Sequence, residues 1–119
     1  MATSQPALKV TSDGEITRVQ FLERNILDAS AIREIGDQIT QVIDQTPNPK
    51  VLISFENVEH LSSAALGALI SINHHSRQKG GQLRLAEIDS QIQEVFAITK
   101  LDRVFQIYQT ADAAAASFT

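Results

Sequence analysis

The sequence predicts a single α/β domain: a mixed sheet of about five strands covered by about four helices. Two patterns carry this prediction. Strand-like and helix-like segments follow one another in the order ββαβαβαβα, and after an opening hairpin such alternation implies parallel pairing with right-handed crossovers. Residues 51–55 (VLISF) are apolar on both sides of an extended chain, as in a central strand covered by helices. We therefore expect Leu52 and Ile53 to be buried together in the middle of the sheet.

The chain opens with a predicted β-hairpin. Residues 8–11 have the pattern of a strand, and residues 16–22 supply a second one. Asp13 and Gly14 lie between them and indicate a tight turn, because both residue types tolerate positive φ angles. We expect the two strands to pair directly.

The next segment is predicted to be an amphipathic helix. Asp28 is placed to cap it by accepting hydrogen bonds from free backbone N–H groups. One face holds apolar residues at helical spacing: Ile32, Ile35, Ile39, Val42 and Ile43. Gly36 lies on the same face, where the missing side chain predicts the close approach of a strand. Pro47 and Pro49 end the helix and introduce a turn.

A second helix is predicted over residues 62–79, from its length and from the spacing of Leu66, Leu69, Ile70 and Asn73. Gly80 and Gly81 end this helix, because glycine readily takes the left-handed conformation found after helix C-termini. Gly67 lies inside it, where glycine costs about 1 kcal/mol relative to alanine. We infer from this cost that the helix packs closely at Gly67, against the sheet or against a partner.

The last third of the chain predicts a strand, a helix, a strand and a helix. Residues 83–86 form the first strand, and Ser90 with Gln93 indicates a capping box for the helix that follows. The apolar face of that helix holds Ile92, Val95 and Phe96. Residues 104–108 then supply a short strand, and the alanine-rich residues 111–118 supply the final helix.

Composition narrows the classes of function. The net charge is −4 and the ten basic residues are scattered, so we expect no nucleic-acid partner. The absence of cysteine excludes disulfides, thiolate metal sites and cysteine nucleophiles, and fits a reducing cytoplasm. The first nine residues lack the apolar core of a signal peptide, and no apolar run approaches the roughly 20 residues of a membrane span. We therefore expect a cytoplasmic protein without membrane insertion.

Ser62 and Ser63 stand at the start of the second predicted helix. On residue type alone, serines at this position are most often caps for backbone N–H groups. A serine nucleophile is the alternative from enzyme chemistry, but the Gly-x-Ser-x-Gly elbow is absent. His74 and His75 are adjacent on a helix and point about 100° apart, so they do not converge on a metal ion as an i, i+4 pair would. We expect no enzymatic activity, no metal site and no cofactor.

Four phrases of the sequence resemble the STAS family, which includes the anti-sigma factor antagonists. The family's Asp-Ser-Ser/Ala-Gly-Leu-Gly reads Ser-Ser-Ala-Ala-Leu-Gly at residues 62–67. Across the wider stretch of residues 58–69, Leu66, Gly67 and Leu69 match the family. Residues 80–83 resemble its Gly-Gly-x-Leu, residues 98–105 its Leu-Thr-Gly-Leu-Asp-Arg-x-Phe, and residues 27–29 its Leu-Asp-Ala. The resemblance spans residues 8–118 and implies one STAS domain over residues 1–119. Ser62 replaces the family's aspartate, and Lys100 replaces a glycine.

The resemblance implies an anti-sigma factor antagonist that releases a sigma factor by binding an anti-sigma factor of the serine-kinase type. Ser63 falls on the family's phosphate acceptor, and ATP would belong to the partner. The implied partner-binding residues are Asp28, Glu56, Asn57, Ser62, Ser63, Ala64, Leu66 and Gly67. Glu56, Asn57 and Glu59 lie in the loop before the second predicted helix, and an ordinary polar turn explains them as well as partner recognition does. The alternative function is a non-switching STAS subunit of a stress-signalling or lipid-transport ATPase complex, because the aspartate is lost.

Overall fold

The computed structural model describes residues 8–22, 24–26 and 29–118 and confirms the α/β class. Its main sheet has five strands in the order β1-β2-β4-β6-β7, and β3 and β5 form a separate pair. The strands are β1 (Leu8–Asp13), β2 (Ile16–Phe21), β3 (Asn25–Ile26), β4 (Lys50–Ser54), β5 (His60–Leu61), β6 (Gln82–Ala86) and β7 (Gln106–Tyr108). The helices are α1 (Ala29–Asp44), α2 (Ser63–Gln78), α3 (Ser90–Ile98) and α4 (Ala111–Ala116), with a 3₁₀ turn at Leu101–Arg103. Among these residues no helix has the length and apolarity needed to cross a membrane.

The central strand is the one that its two-sided apolar pattern predicts. Strand β4 pairs in parallel with β2 on one side and β6 on the other, and Val51, Leu52 and Ile53 have no exposed surface. Strand β1 pairs antiparallel with β2, and Gly14 holds the hairpin turn at a φ of 64°. The predicted hairpin and sheet centre are therefore confirmed.

Helices cover the two faces of the sheet unequally. On one face, α1, α2 and α3 bury a large core in which the rings of Phe21 and Phe55 lie 4.9 Å apart between centroids. On the other face, α4 packs on Leu52 and Ala86 through Ala114. Leu52 and Ile53 point to opposite faces because successive side chains alternate along a strand, so the central strand needs both layers.

Helix α1 has the predicted apolar face, but the surroundings of Gly36 differ from the prediction. Ile32, Ile35, Ile39 and Ile43 are all buried. The prediction that a strand approaches Gly36 is wrong: a Cβ built there has no neighbour within 4 Å. Gly36 instead borders a shallow surface groove between α1 and α2. The predicted capping residue, Asp28, lies outside the described residues.

Helix α2 ends in a Schellman motif at the predicted glycines. Gly80 has a φ of 73°, its N–H donates to the carbonyl of Arg77, and the N–H of Gly81 donates to the carbonyl of Ser76. A side chain on Gly81 would come within 2.6 Å of Pro49. Both glycines are therefore required, one by backbone conformation and the other by close packing.

The capping box predicted for α3 is wrong by one residue. The cap is Asp89, whose carboxylate accepts from the N–H of Gln91 at 3.0 Å. Ser90 is the first helical residue, and the amide of Gln93 donates to the carbonyl of Ile88. Aspartate and serine are comparable caps. Because Asp89 and Ser90 are adjacent, the sequence alone does not predict which of them begins the helix.

The connection from α3 to β7 is tighter than predicted. A 3₁₀ turn occupies Leu101–Arg103, and β7 begins at Gln106 instead of residue 104. Lys100 enters this turn in the left-handed conformation, with φ 62° and ψ 19°. Residues other than glycine adopt that backbone conformation at a cost of about 1–2 kcal/mol.

We expect Lys100→Gly to raise the free energy of unfolding by about 1 kcal/mol, because glycine removes the Cβ clash of the left-handed conformation. Chemical denaturation of the purified protein measures this change. Lys100→Ala is the matched control, since it removes the charged chain and keeps the Cβ. Equal stability of the glycine and alanine variants would contradict the interpretation.

A charged cluster joins the C-terminal halves of α1 and α2. His75 Nε2 lies 2.7 Å from the Asp44 carboxylate, and Lys79 Nζ lies 3.7 Å from it. The hydrogen bond from His75 is the main reason that the pKa of Asp44 lies below its ordinary value of 3.8, and the nearby charges of His75 and Lys79 act in the same direction.

We expect Asp44→Asn to lower the melting temperature at about pH 6 and to lower it less at about pH 3. A carboxyl group whose pKa is lower in the folded state stabilises the fold above its unfolded pKa, and loses this effect as the pH falls through its folded pKa. Thermal unfolding of both proteins across this pH range provides the test, with exposed Asp37→Asn on the same helix as control. A difference that grows toward acid pH would overturn this assignment.

Candidate functional site

The start of α2 is built around Ser62. This residue has extended backbone angles, with φ −80° and ψ 165°, and its Oγ accepts from the N–H of Ala65 at 3.1 Å. Its own carbonyl accepts the N–H of Leu66 at 3.1 Å. Ser62 is therefore the N-cap of α2, as predicted.

A small pair of strands positions this cap. Strands β3 and β5 pair in parallel, with Asn25 opposite His60 and Ile26 opposite Leu61. The N–H of Ser62 then donates to the carbonyl of Ile26 at 3.1 Å. The segment before α1 is thus fastened directly to the segment before α2. Two-residue strands carry no alternation that a sequence pattern could reveal, so this pair was not predicted.

Ser63 is the first residue of α2 and is exposed. Its hydroxyl makes no hydrogen bond within the described part of the chain. The first turn of α2 contains no acidic residue, and the first N–H groups of a helix attract negative charge. A hydroxyl here is accessible to an enzyme, and an added phosphoryl group would lie at the favourable end of the helix dipole.

The outward side of the first two turns of α2 is formed by small residues. Ala64 and Gly67 are exposed, while Ala65, Leu69 and Ile72 face the core. A Cβ built on Gly67 meets nothing within 4 Å. Of the two alternatives predicted for close packing at Gly67, packing against the sheet is therefore wrong, and packing against a partner stays a prediction.

An apolar groove runs beside the start of α2. It has a volume of about 310 Å³ and an apolar floor. The apolar residues that line it are Leu61, Leu66, Ile92 and Val95. Leu66 is buried, and Val95 remains 40% exposed. Of the predicted partner-binding residues that the structure describes, only Leu66 lines this groove.

An acidic depression of about 490 Å³ adjoins the groove at the carboxyl edge of the sheet. Its charged residues are Glu56, Glu59, Glu87, Asp89 and Arg24. Asn57 lines it too, and Glu59 lines both the depression and the groove. Glu56 and Asn57 also form the polar turn that the sequence left open, because the N–H of Val58 donates to the carbonyl of Phe55 at 3.0 Å.

Two of these carboxylates, Glu87 and Asp89, were not predicted as site residues. They follow β6 just as Glu56 and Glu59 follow β4, and these two strands are parallel neighbours. The carboxyl ends of parallel strands meet at one edge of a sheet, so this rule could have found them. Glu87 has a φ of 62°, and its carboxylate accepts the Ser54 hydroxyl at 2.7 Å.

The sequence profile of the STAS domain matches residues 11–114. The chain belongs to the STAS domain family. A proposed anti-sigma factor antagonist from Thermotoga neapolitana is 33% identical over 61 residues, which are 51% of this chain and 54% of that one. This STAS chain thus spans about half the length of that relative.

Solved STAS structures share the fold. An anti-sigma-factor antagonist (STAS) domain protein from Planctomyces limnophilus superposes with a TM-score of 0.79 at 22% identity, covering 92% of this chain and 96% of that one. The anti-sigma factor antagonist SpoIIAA, unphosphorylated, superposes at 0.68 with 16% identity, covering 92% and 94%. Phosphorylated SpoIIAA from Bacillus gives 0.69 at 16% identity, covering 94% and 100%.

The geometry explains how this STAS domain accommodates its two departures from the family phrases. Ser62 replaces an aspartate and still caps α2, since serine and aspartate are both preferred caps. Lys100 replaces a glycine and adopts the left-handed conformation that glycine tolerates. The first departure removes a negative charge from the surface, and the second affects only a turn.

The three histidines of this STAS domain lie in three different surroundings. His60 lies in β5 and lines the apolar groove, His74 contacts the amide of Gln78 at 3.2 Å, and His75 binds Asp44. None of them hydrogen-bonds Ser63 in the described chain.

Proposed function

We propose that this STAS protein is an anti-sigma factor antagonist that is switched by phosphorylation of Ser63. The observation that carries the proposal is the pairing of two serines with different roles. Ser62 uses its hydroxyl as the helix cap, while the hydroxyl of Ser63 is exposed and makes no hydrogen bond in the described chain. Three related STAS proteins bear the name anti-sigma factor antagonist, and SpoIIAA has been solved in a phosphorylated form.

A phosphoryl group on Ser63 would change binding without disturbing the fold. It adds a charge of about −1.5 to −2 at the N-terminus of a 16-residue helix, where the dipole favours negative charge. The same group places bulk and charge beside the exposed Ala64 and Gly67. A partner that contacts this small-residue side would then be displaced, while α2 keeps its cap and its core contacts.

The proposed partner is an anti-sigma factor of the serine-kinase type, which supplies ATP and phosphorylates Ser63. The docking residues would include Glu56, Asn57, Leu66 and Gly67, and Asp28 is retained from the family resemblance alone. A protein that controls sigma factor availability acts where transcription occurs, which places it in the bacterial cytoplasm. The chain needs no cofactor for this role.

The test is mass spectrometry of the purified protein after incubation with the cognate kinase and ATP. Phosphate on Ser63 supports the proposal. Phosphate on Ser62 alone, or on neither serine when the kinase phosphorylates a control substrate, would refute it. Co-purification from the native cell identifies the kinase, because a small kinase-like protein should accompany the unphosphorylated form.

The second candidate is a non-switching STAS subunit of a stress-signalling or lipid-transport ATPase complex. The observation that favours it is Ser62 in the place of the family's aspartate. This replacement removes a negative charge by which a kinase could recognise the loop. Co-purification with a transporter ATPase, and without a kinase, would support this function. Labelling by a fluorophosphonate probe would instead indicate a serine hydrolase.

A further inference from the structure

The surface beside α2 combines two chemistries in one continuous area. The apolar groove is lined by Leu61, Leu66, Ile92 and Val95. The acidic depression holds four carboxylates and the guanidinium of Arg24. Because Glu59 lines both, the two form a single surface, which we call the bipartite surface. It lies at the carboxyl edge of the sheet, where the loops after β4 and β6 come together.

The apolar half continues outward along α3. Val95 is 40% exposed, and Ile98, three residues further along the same helix, is 80% exposed. Residues three apart lie on the same side of a helix. Phe96, between them, is fully buried against Phe105, so the core of α3 is complete without Val95 and Ile98. Contiguous exposed apolar patches mark sites of interaction, and Val95 and Ile98 extend the apolar surface of the groove.

Among the described residues, the acidic depression holds four carboxylates and one cation, Arg24. Arg24 reaches Glu59 only at 3.9 Å, and the two side chains are 76% and 59% exposed; exposed pairs of this kind contribute little. Asp89 is used as the cap of α3, and Glu87 accepts the Ser54 hydroxyl. Both interactions hold the carboxylates in place through hydrogen bonds, without an ion pair.

We infer that the bipartite surface binds a partner segment in which an apolar side chain stands next to at least two lysine or arginine side chains. The inference rests on the proposed function for the identity of the partner, whereas the chemistry of the segment follows from the surface alone. The apolar side chain fills the groove and the cations face the depression. Anchors in pockets supply affinity, and complementary charges supply association rate and specificity.

On this inference, the surface carboxylates and the phosphate on Ser63 have different effects on partner binding. The carboxylates accelerate association with a cationic partner. Phosphate on Ser63 makes an already negative surface more negative, so it does not weaken this attraction at a distance. It therefore acts on the docked complex, and its effect falls on the dissociation rate.

The first test needs no natural partner. The probe is the synthetic peptide acetyl-Leu-Arg-Arg-Leu-Arg-amide, titrated into the ¹⁵N-labelled full chain and followed by amide chemical shifts. We expect the shifts to concentrate at residues 56–61 and 88–95, and to vanish with a peptide carrying glutamate in place of arginine. In the triple variant Glu56→Gln, Glu59→Gln, Asp89→Asn, the affinity should fall roughly tenfold.

Two features keep this test decisive. Asparagine caps helices as well as aspartate does, so Asp89→Asn preserves the start of α3. The matched control is the triple variant Glu34→Gln, Asp37→Asn, Asp102→Asn, which removes the same charge from residues that line neither half of the surface. Shifts elsewhere on the protein, or equal losses in the two triple variants, would overturn the inference.

The second test uses the kinase-type partner and stopped-flow binding between about 50 and 300 mM NaCl, a range over which screening becomes strong. Removal of the three carboxylates should slow association roughly tenfold at low salt and flatten its salt dependence. Phosphorylation should instead raise the dissociation rate. If phosphate alone changes binding, the inference fails and the proposed function stands. If the charges matter and phosphate does not, the proposed function fails.

Discussion

Ser63→Ala is expected to keep its anti-sigma partner bound under conditions in which ATP and the kinase release the wild-type protein. The variant lacks the phosphate acceptor, while the exposed side of α2 around Ala64 and Gly67 is unchanged. Ser63→Asp should bind more weakly by about tenfold, a change of roughly 1.4 kcal/mol, because a carboxylate imitates only part of the charge and bulk of a phosphate. Surface plasmon resonance with and without ATP measures both effects.

Ser62→Ala is the matched control for this pair. It removes the hydroxyl that accepts the N–H of Ala65 and should cost about 1 kcal/mol of unfolding free energy, with phosphorylation of Ser63 retained. Circular dichroism separates the two kinds of effect, since only the Ser62 variant should melt earlier. Release of Ser63→Ala by ATP and kinase would show that the switch lies elsewhere.

Gly67→Leu is expected to weaken partner binding by about tenfold or more, roughly 1.4 kcal/mol, and to leave the fold at least as stable as before. The reason is that Gly67 is exposed within α2 and a Cβ there meets nothing. Inside the isolated protein, leucine is a better helix former than glycine by nearly 1 kcal/mol. A large side chain would therefore obstruct only a partner that packs against this side.

Gly67→Ala completes the comparison, because it gives a similar gain in helix propensity and adds one methyl group. Thermal unfolding should place both variants above the wild type, and titration calorimetry should show a graded loss of affinity from glycine through alanine to leucine. If leucine binds as well as glycine, the partner does not contact this part of α2. If leucine destabilises the fold, Gly67 is needed within the chain.

Local signals predicted most of the fold. The two-sided apolar run of β4 and the glycines after α2 each act through a few adjacent residues, and both predictions are confirmed. The wrong prediction at Gly36, the excluded sheet contact at Gly67 and the unpredicted pairing of β3 with β5 have a common physical cause. A glycine such as Gly36 or Gly67 shows that a side chain is missing, but what lies opposite depends on tertiary packing. The pairing of β3 with β5 joins segments far apart in sequence and too short to have a pattern.

The candidate site likewise has one part that the sequence predicts and one part that it does not. The roles of cap and exposed hydroxyl at Ser62 and Ser63 follow from the helix start and from the family phrase. The acidic depression does not, because Glu87 and Glu59 become neighbours only when β4 and β6 pair side by side. Contacts made through the sheet are available to sequence reasoning only after strand order is known.

The pairing of β3 with β5 bears on how recognition could be transplanted between STAS domains. The loop that ends in Ser62 is held at one side by Arg24 and Ile26, whose carbonyls accept its N–H groups. If residues 56–67 alone were exchanged, the new loop would still be held by the original residues 24–26. A chimaera that alters partner choice should therefore exchange residues 24–26 together with that loop, as two pieces of one unit that are separated only along the chain.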